Sequence, residues 1–316
     1  MSELTSLIVR KVTHEADNVL GLTLGHPDED ILPTWAPGAH LDLLLKQGLV
    51  RQYSLCGDVT DRHSYRIAVL LERAGRGGSE YVHRFLNEGD EVAVRGPRNH
   101  FRLVESDRYL FIAGGIGITP ILPMVKQVAQ AGAEFSVLYG GRRRATMAFR
   151  DQLDEYGSRV RIVPEDREGP LNLAEALGAL APGAQVYCCG PEGLIAAVEQ
   201  LCAHSFPHAL HVERFAACGP GVPRVAHPRV NSVTLARSGV ELSVPPDRSI
   251  LDVVLESGVD IPYDCVEGIC GSCEVKVLEG DIEHMDQVLT KQEKESNTVM
   301  MICCSRSRGP RIVLDL

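Results

Sequence analysis

Four cysteines near the end of the chain constrain its fold more than any other feature. Cys265, Cys270 and Cys273 follow a C-x4-C-x2-C spacing, and Cys303 comes after a further 29 residues. This is the ligand spacing of a plant-type [2Fe-2S] cluster, in which one loop supplies three thiolates and a distant segment supplies the fourth. Glycines inside the loop allow the backbone to fold closely around an inorganic core. The sequence therefore predicts an iron–sulfur domain over residues 229–316.

Two other uses of these cysteines fit the pattern less well. A structural zinc ion usually takes two C-x2-C-like pairs, which this spacing does not provide. A disulfide framework is typical of exported proteins, whereas residues 1–11 lack the long apolar run of a secretory signal. The pattern favours iron over both alternatives. The neighbouring Cys304 is a second candidate for the fourth ligand. Of the two, we choose Cys303.

Composition limits the classes of protein to consider. The chain has 316 residues, a length typical of two or three domains, and 44% of them are hydrophobic. No stretch approaches the 18 or so apolar residues that a membrane-spanning helix needs. With 32 basic and 42 acidic residues the formal net charge is −10, which argues against nucleic-acid binding. Ten cysteines without an export signal predict a cytoplasmic location, where thiols stay reduced.

The acidic residues are concentrated in the last part of the chain. Residues 231–316 contain 15 acidic and 8 basic side chains. An acidic electron-transfer domain would be steered towards a basic surface on a protein partner. The same charge would also serve solubility alone, so both interpretations remain open.

Residues 1–103 predict an antiparallel β-barrel. Short alternating apolar runs are separated by glycine, proline and aspartate, which is typical of a barrel or a sandwich. We expect strands at 4–12, 19–24, 40–45, 64–71 and 90–94.

Residues 104–225 change to a repeating β-α pattern, which predicts an α/β domain with a doubly wound parallel sheet. We expect strands at 109–113, 134–139, 159–164 and 185–189, and helices at 120–131, 149–155, 173–180 and 192–204. A proline- and glycine-rich stretch at 218–228 predicts a linker. In the α+β unit beyond it we expect strands at 229–235, 240–244, 274–279 and 311–316 and a helix at 250–256.

A glycine turn between a strand and a helix is the first candidate nucleotide site. The sequence from 113 to 120 reads AGGIGITP. Small residues let backbone N–H groups approach a phosphate at the helix N-terminus. Thr119 could cap the helix and Pro120 fits its first position. An ordinary tight turn would use the same glycines, but the β-α context favours nucleotide binding by Gly114, Gly115 and Gly117.

A second candidate follows a later strand of the same domain. Cys189, Gly190 and Pro191 lie at the carboxyl end of the strand predicted at 185–189, where doubly wound sheets bind their ligands. Cys189 could face a nicotinamide ring there. The alternative is a small buried thiol at a strand end.

Two segments of the β domain could hold a flavin. In the run RQYS, Arg51 suits a phosphate or ring edge, Tyr53 suits a ring face, and Ser54 could hydrogen-bond a ring atom. A glycine-rich loop follows about 25 residues later, and four of its residues suit a terminal monophosphate: Arg76, Gly77, Gly78 and Ser79. A mobile hairpin loop is the alternative for the second segment.

Together these motifs resemble the phthalate dioxygenase reductase family, which includes reductases of the vanillate demethylase type. The resemblance spans essentially all 316 residues and includes the domain order of flavin barrel, nicotinamide domain and ferredoxin. It implies that 51–54 and 76–79 hold FMN, and that 114–120 and 189–191 hold the nicotinamide dinucleotide. It also implies that Phe215 lies beside the flavin. The family's fourth cluster ligand precedes a small apolar residue and Ser-Arg, which matches Cys303 although Cys304 departs from the pattern.

The resemblance also implies a function. NADH would give a hydride to FMN, single electrons would pass to the [2Fe-2S] cluster, and an external acceptor would receive them. Four residues would border the reacting rings: Ser54, Thr119, Cys189 and Phe215. Because no Rieske ligand pair or mononuclear iron triad is evident in this chain, oxygen chemistry is expected on a partner, the terminal oxygenase of a Rieske-type system.

The nature of the two organic cofactors follows from weaker signals. FMN is favoured over FAD because related FAD reductases usually place the ferredoxin first and need an adenine-binding segment. Glu165 and Asp166, after the third strand of the second domain, would bind ribose hydroxyls and repel the 2′-phosphate of NADPH. An arginine run at 142–144 offers the opposite chemistry.

Two other functions remain as alternatives. The electron acceptor could be a cytochrome P450 or another haem monooxygenase. The chain could also be an iron–sulfur redox sensor without enzymatic activity, although three complementary cofactor motifs in one chain argue against it.

Overall fold

The computed structural model describes residues 4–46, 49–73, 77–181, 183–205, 209–215, 231–263, 266, 268–269, 271–289 and 291–316. The chain forms two compact units, residues 2–215 and residues 216–316. The predicted linker at 218–228 and the predicted site residues Arg76, Cys265 and Cys270 lie outside the described residues. Within the described ranges, no helix has both the length and the apolar character needed to cross a bilayer.

The first unit begins with a six-stranded antiparallel barrel. Its strands are β1 (Leu4–Ala16), β2 (Val19–Gly25), β3 (Ala39–Leu45), β4 (Leu49–Ser54), β5 (Ser64–Leu70) and β6 (Glu91–Asn99), in the order β4-β3-β6-β1-β2-β5. Beyond the end of β4, Leu55 bridges to Ile67 of β5, and the Cys56 amide donates to the Arg66 carbonyl at 2.8 Å. These bonds join the two outer strands, so the sheet closes into the expected barrel.

One helix of the barrel domain was not expected. Helix α1 (Gly78–Phe85) stands where the sequence predicted a glycine-rich loop. Gly77, at φ 80°, is its N-cap, a conformation that glycine adopts without steric cost. Val82 is buried in the barrel core, and the His83 ring bonds to the Val69 carbonyl at 2.9 Å. These tertiary contacts hold a segment whose local sequence favours a loop.

The same unit continues with a five-stranded parallel sheet. Its strands are β7 (Arg108–Gly114), β8 (Glu134–Gly141), β9 (Val160–Pro164), β10 (Gln185–Cys189) and β11 (Leu210–Glu213), in the order β11-β10-β7-β8-β9. Its helices are α2 (Ile118–Gln130), α3 (Arg150–Asp154), α4 (Glu165–Glu168), α5 (Leu173–Gly178) and α6 (Glu192–Ser205). This is the doubly wound arrangement that the β-α pattern predicts.

Alternating side chains of the parallel sheet feed two separate cores. Phe111 packs with α2, and Ile112 packs with α5 and α6 on the other face. The α2 core also includes barrel residues such as Val19 and Cys56. Because barrel and sheet share this core, they form a single compact unit.

Helix α2 begins earlier than the sequence predicts. It starts at Ile118, directly after a 3-10 turn at Gly115–Gly117, rather than at Pro120. The expected capping role of Thr119 is wrong, since its hydroxyl donates to the Ile116 carbonyl at 3.0 Å. The turn runs straight into the helix and leaves no non-helical residue at position 119 to act as the cap.

The second unit is a mixed sheet crossed by a helix, as in a β-grasp ferredoxin. Strands β12 (Asn231–Leu235), β13 (Val240–Val244), β14 (Glu274–Glu279), β16 (Val299–Met301) and β18 (Arg311–Leu314) have the order β13-β12-β18-β14-β16. Strands β15 (Ile282–Glu283) and β17 (Arg306–Ser307) pair separately, and α7 (Ile250–Glu256) and α8 (Lys291–Ser296) are its helices. Ser249 and Asp252 form a capping box that begins α7 at the predicted residue.

Candidate functional site

The predicted flavin and nicotinamide residues meet where the barrel borders the parallel sheet. Ser54 ends β4, Cys189 ends β10, and Glu213 ends the adjacent strand β11 in register with Cys189. The Ser54 hydroxyl is close enough to Glu213 to lower the pKa of its carboxyl group. Three strand ends from two sheets thus bring a hydroxyl, a thiol and a carboxyl together.

Burial dominates the electrostatics at this meeting point. Loss of hydration raises the pKa of Glu213 to about 8, against the smaller opposite effect of Ser54. Burial, with smaller contributions from Glu213 and Cys188, raises the pKa of the Cys189 thiol well above its usual range. At neutral pH both groups therefore hold their protons. Cys189 is a neutral apolar contact rather than a nucleophile.

Two polar atoms here lack ordinary partners. Ser54 Oγ and Glu213 Oε2 are buried, and neither makes a hydrogen bond of standard geometry with another described residue. Such groups usually find a partner in a bound molecule or water. A ring that carries both hydrogen-bond donors and acceptors, such as a flavin, would satisfy them.

The two glycine-bearing turns of the parallel sheet are packed directly against each other. A Cβ at Gly114 would lie 2.6 Å from Cδ of Pro191, and one at Gly190 would lie 2.9 Å from the Gly114 backbone. A Cβ at Gly117 would come within 2.3 Å of the Cys189 carbonyl oxygen. These glycines are therefore required for the approach of two strand ends.

Gly115 differs from its neighbours. It has φ +54°, which glycine tolerates best, and no described atom outside the adjoining residues lies within 4 Å of a Cβ built there. Thr119 and Pro120 follow in the first turn of α2, and both are buried. The open side of the turn is therefore at Gly115, where a phosphate could approach the helix N-terminus.

The predicted FMN phosphate site combines β4 with the start of α1. The Arg51 side chain lies on the backbone of Gly78, so close that a Cβ there would be 2.5 Å from Cγ of Arg51. One guanidinium nitrogen donates to the Val50 carbonyl at 2.8 Å. A guanidinium beside the positive end of an eight-residue helix suits an anionic phosphate.

The other predicted flavin residues fall into three situations. Burial raises the pKa of Tyr53 above its usual range, partly opposed by Arg51. Ser79 is engaged locally, because its Oγ accepts the Glu72 amide at 3.0 Å. Phe215 is 41% exposed, two residues after β11. Its exposed ring follows directly on the Glu213 strand.

The paired strands of the second unit bring together two of the four predicted cluster ligands. Glu274 of β14 pairs with Met301 of β16, and the Ile302 amide donates to the Cys273 carbonyl at 3.3 Å. Cys273 and Cys303 are both buried in the same core. The third and fourth predicted ligands thus lie at the same end of one strand pair.

The neighbouring thiol of Cys304 points to a different contact. A Cβ at Gly268 would lie 2.4 Å from Cys304 Sγ, so this thiol packs on the loop backbone. Gly268 has φ +73°, a left-handed conformation that glycine adopts without steric cost. Two buried thiols and this glycine-lined loop fit a thiolate-bound cluster, as far as the described residues extend.

One functional candidate was missed at the sequence level. Glu213 stands within the run HVERF, where nothing in its neighbours along the chain distinguishes it from a surface carboxylate. Its strand, β11, has four residues and was not expected. Only the pairing of β11 with β10 and the nearness of Ser54 reveal a buried carboxyl group.

Comparison with known proteins agrees with this architecture. Residues 233–308 match the model of the 2Fe-2S iron-sulfur cluster binding domain, and residues 94–208 match that of the N-terminal domain of dimethylamine monooxygenase subunit DmmA-like proteins. The chain is 39% identical to a phthalate 4,5-dioxygenase oxygenase reductase subunit of Pseudomonas putida, over 99% of this chain and 97% of that protein.

Solved structures that resemble the whole chain include the following two. One is a phthalate dioxygenase reductase described as a modular structure for electron transfer from pyridine nucleotides to [2Fe-2S]. It has a TM-score of 0.74 and 34% identity, and the likeness covers 99% of this chain and 98% of that one. The other is an intact type IV self-sufficient cytochrome P450 monooxygenase, with a TM-score of 0.87 and 41% identity. The likeness covers 99% of this chain but only 41% of that longer protein.

The expected fold class and family are therefore confirmed. A barrel and a parallel sheet stand before a [2Fe-2S] domain, and likeness to an oxygenase reductase extends over nearly the full length. The chain belongs to the phthalate dioxygenase reductase family of flavin- and [2Fe-2S]-containing oxidoreductases.

Proposed function

We propose that this chain is the NADH-dependent reductase component of a multicomponent, Rieske-type oxygenase. It passes electrons from NADH through FMN and a [2Fe-2S] cluster to a separate terminal oxygenase. The observation that carries this proposal is the full-length likeness to phthalate dioxygenase reductases, which includes the order of the domains. The acidic balance of residues 231–316 supports a protein partner with a basic docking surface.

Each domain has a separate task in this proposal. Residues 1–103 bind FMN, residues 104–225 bind NADH, and residues 229–316 hold the cluster through Cys265, Cys270, Cys273 and Cys303. The shared core of barrel and sheet supports a fixed geometry between the first two tasks.

The side chains at the barrel edge orient and protect the reacting groups. A bound FMN would supply hydride acceptance and single-electron release, a chemistry that amino-acid side chains do not provide. Arg51 would neutralise the FMN phosphate, and Ser54 would hydrogen-bond the edge of the flavin ring. The neutral Cys189 thiol would keep water from the nicotinamide, and Phe215 would pack on the flavin.

The preference for NADH rests on the carboxyl edge of the parallel sheet. The Asp166 amide donates to the Arg142 carbonyl at 3.2 Å, which joins the segments that follow β8 and β9. Glu165 and Asp166 open helix α4 at this edge and contribute negative charge. A 2′-phosphate would be repelled there, whereas ribose hydroxyls would be accepted. A cytoplasmic location is supported because the cluster needs cysteines that stay reduced.

Cofactor content and partner choice test the proposal. Acid extraction of the purified protein should release FMN, with iron and sulfide at two each per chain. NADH should then drive substrate turnover by a Rieske-type oxygenase mixed with the reductase. Release of FAD, or a lack of iron and sulfide after anaerobic purification, would contradict the proposal.

A haem monooxygenase is the second candidate acceptor. It is favoured by the 41% identity between this chain and part of a self-sufficient cytochrome P450 monooxygenase. Parallel assays with a Rieske oxygenase and a cytochrome P450 would separate the two. Faster NADH-driven reduction of the haem protein would favour this second acceptor.

A further inference from the structure

A buried carboxylate, Asp286, lies between the two segments that carry the predicted cluster ligands. Its side chain is 0% exposed. A carboxylate is rarely buried unless it is fully hydrogen-bonded or paired. Its partners therefore indicate what it holds in place.

On one side, the Asp286 segment contacts the loop that contains the first three cysteines. The Gln287 amide donates to the Gly268 carbonyl at 2.8 Å. A Cβ at Gly268 would lie 3.0 Å from Cα of Asp286 and 2.4 Å from Sγ of Cys304. Gly268 is thus wedged between Asp286 and the residue that follows Cys303.

On the other side, the carboxylate reaches the segment after the fourth predicted ligand. The Ser305 hydroxyl donates to Asp286 Oδ1 at 3.3 Å and accepts the Met285 amide at 3.1 Å. The Ser305 amide in turn donates to the Met301 carbonyl at 2.9 Å. The hydrogen bonds of Ser305 therefore hold in place the backbone segment that runs from β16 through Cys303.

Three further groups hold the carboxylate itself. The Leu289 amide donates to Oδ2 at 3.0 Å, and His284 Nδ1 lies 3.4 Å from Oδ1. Lys294 Nζ lies 3.7 Å from Oδ2 and donates to the Asp286 carbonyl at 2.5 Å. A nearby cation offsets part of the cost of burying the charge, and the hydrogen bonds to its oxygens offset more.

We propose that Asp286 is a positioning residue for the iron–sulfur cluster. Through its contacts at Gly268 and Ser305 it ties the cysteine loop to the segment of Cys303 and so holds Cys273 and Cys303 in their binding geometry. Outer contacts of this kind strongly affect how tightly a metal centre is retained. The inference rests on the proposed iron–sulfur function.

Iron release from the intact, cofactor-loaded protein tests this role. In Asp286→Asn the shape is kept, but the charge is lost and an amide replaces an acceptor oxygen. We expect a ferrous-iron chelator to strip the cluster at least about tenfold faster than from the wild type, with an altered visible circular dichroism of the cluster. Flavin reduction by NADH should be unchanged, because the flavin residues belong to the other compact unit.

Two control variants separate positioning from general stability. Asp281→Asn removes an exposed carboxyl from the same unit and should release iron at the wild-type rate. Leu235→Ala opens a cavity in the core on β12, and should lower the free energy of unfolding by about 2–5 kcal/mol without speeding iron release under native conditions.

Ser305→Ala, which keeps the Asp286 charge, should give an intermediate release rate.

The outcomes distinguish this inference from the proposed function. Release from Asp286→Asn within twofold of wild type would overturn the positioning role. The positioning role would also be overturned if Leu235→Ala released iron as fast as Asp286→Asn when both variants had lost the same free energy of unfolding. A wild-type protein without iron and sulfide would instead contradict the iron–sulfur function itself.

Discussion

Gly117 stands directly against Cys189 at the carboxyl edge of the parallel sheet. A Cβ on Gly117 would lie 2.3 Å from the Cys189 carbonyl oxygen and 2.7 Å from the Gly190 amide nitrogen. Both contacts are with backbone, which cannot move aside as a flexible side chain can. The turn before α2 and the end of β10 therefore pack as a single rigid contact. The residues of the predicted dinucleotide site lie on both sides of this contact.

Substitution of Gly117 by alanine should force these two backbones apart. We expect a loss of about 1–3 kcal/mol in the free energy of unfolding, with a marked rise in KM for NADH. Urea unfolding and steady-state kinetics measure the two effects. Gly193→Ala is the matched control, because a Cβ there has no neighbour within 4 Å among the described residues beyond the adjoining residues and its own helix backbone. It should raise stability by up to about 1 kcal/mol, and equal effects of both variants would contradict the account.

Removal of the Arg51 guanidinium should weaken FMN binding. Charge-assisted hydrogen bonds contribute about 1.5–3 kcal/mol, so Arg51→Ala should raise the Kd for FMN by about 10–100-fold. Flavin fluorescence on titration of the flavin-free protein measures this. Arg84→Ala, on the neighbouring helix α1, is the control, since Arg84 is exposed and pairs with Glu80 at 2.9 Å. Its FMN affinity should match that of the wild type, and similar losses in both variants would remove Arg51 from the site.

Glu213 should make stability depend on pH between about 4.5 and 8. Burial raises its folded pKa to about 8, against 4.5 for the free side chain. In that range the folded chain holds a proton that the unfolded chain has released, so stability falls as pH rises. The contribution of this carboxyl is fully present below pH 4.5 and is lost as the pH rises through 8.

The Glu213→Gln variant removes this ionisation. Between pH 5 and 8, the free energy of unfolding should fall less in this variant than in the wild type, by about 2 kcal/mol or more. Chemical unfolding at a series of pH values provides the comparison. Parallel profiles for the two proteins would show that Glu213 ionises normally in the folded state.

The adjacent thiols of Cys303 and Cys304 offer a matched pair of variants. Cys303→Ser should abolish the [2Fe-2S] absorbance, because the buried Cys303 lies with Cys273 in the same core. Cys304→Ser should keep the cluster, because that thiol packs on Gly268. Iron and sulfide analysis of both proteins gives the answer. A cluster that survives in Cys303→Ser but not in Cys304→Ser would reverse the choice of ligand.

Much of the fold follows from local sequence. The strand Gln185–Cys189 and the helix Ile250–Glu256 have the bounds that periodicity predicts, the latter because the Ser249–Asp252 capping box marks its start. Two other elements were missed for different reasons. Strand β15 has two residues, too few to display an alternating pattern, and α1 depends on the burial of Val82 in the barrel.

The candidate site divides in the same way. The chemistry of motifs such as the 265–273 cysteine spacing can be predicted from sequence, because the geometry of the ligands fixes their spacing. Glu213 and Asp286 are not recognisable from the sequence, because the partner that defines the role of each, Ser54 or Ser305, is distant along the chain. Ser54 is brought to Glu213 by the packing of barrel on sheet, and Ser305 is brought to Asp286 by the second unit's fold. Such partners emerge only from tertiary structure.

Electrons should pass from NADH to the cluster within one chain, and anaerobic reduction by NADH measures this transfer. NADH is added to the fully loaded protein in the absence of any acceptor, and visible absorbance and electron paramagnetic resonance are recorded. We predict that the flavin absorbance bleaches and that the resonance of a reduced [2Fe-2S] cluster then appears. A cluster that stays oxidised while the flavin is fully reduced would show that electrons do not pass between them within the chain.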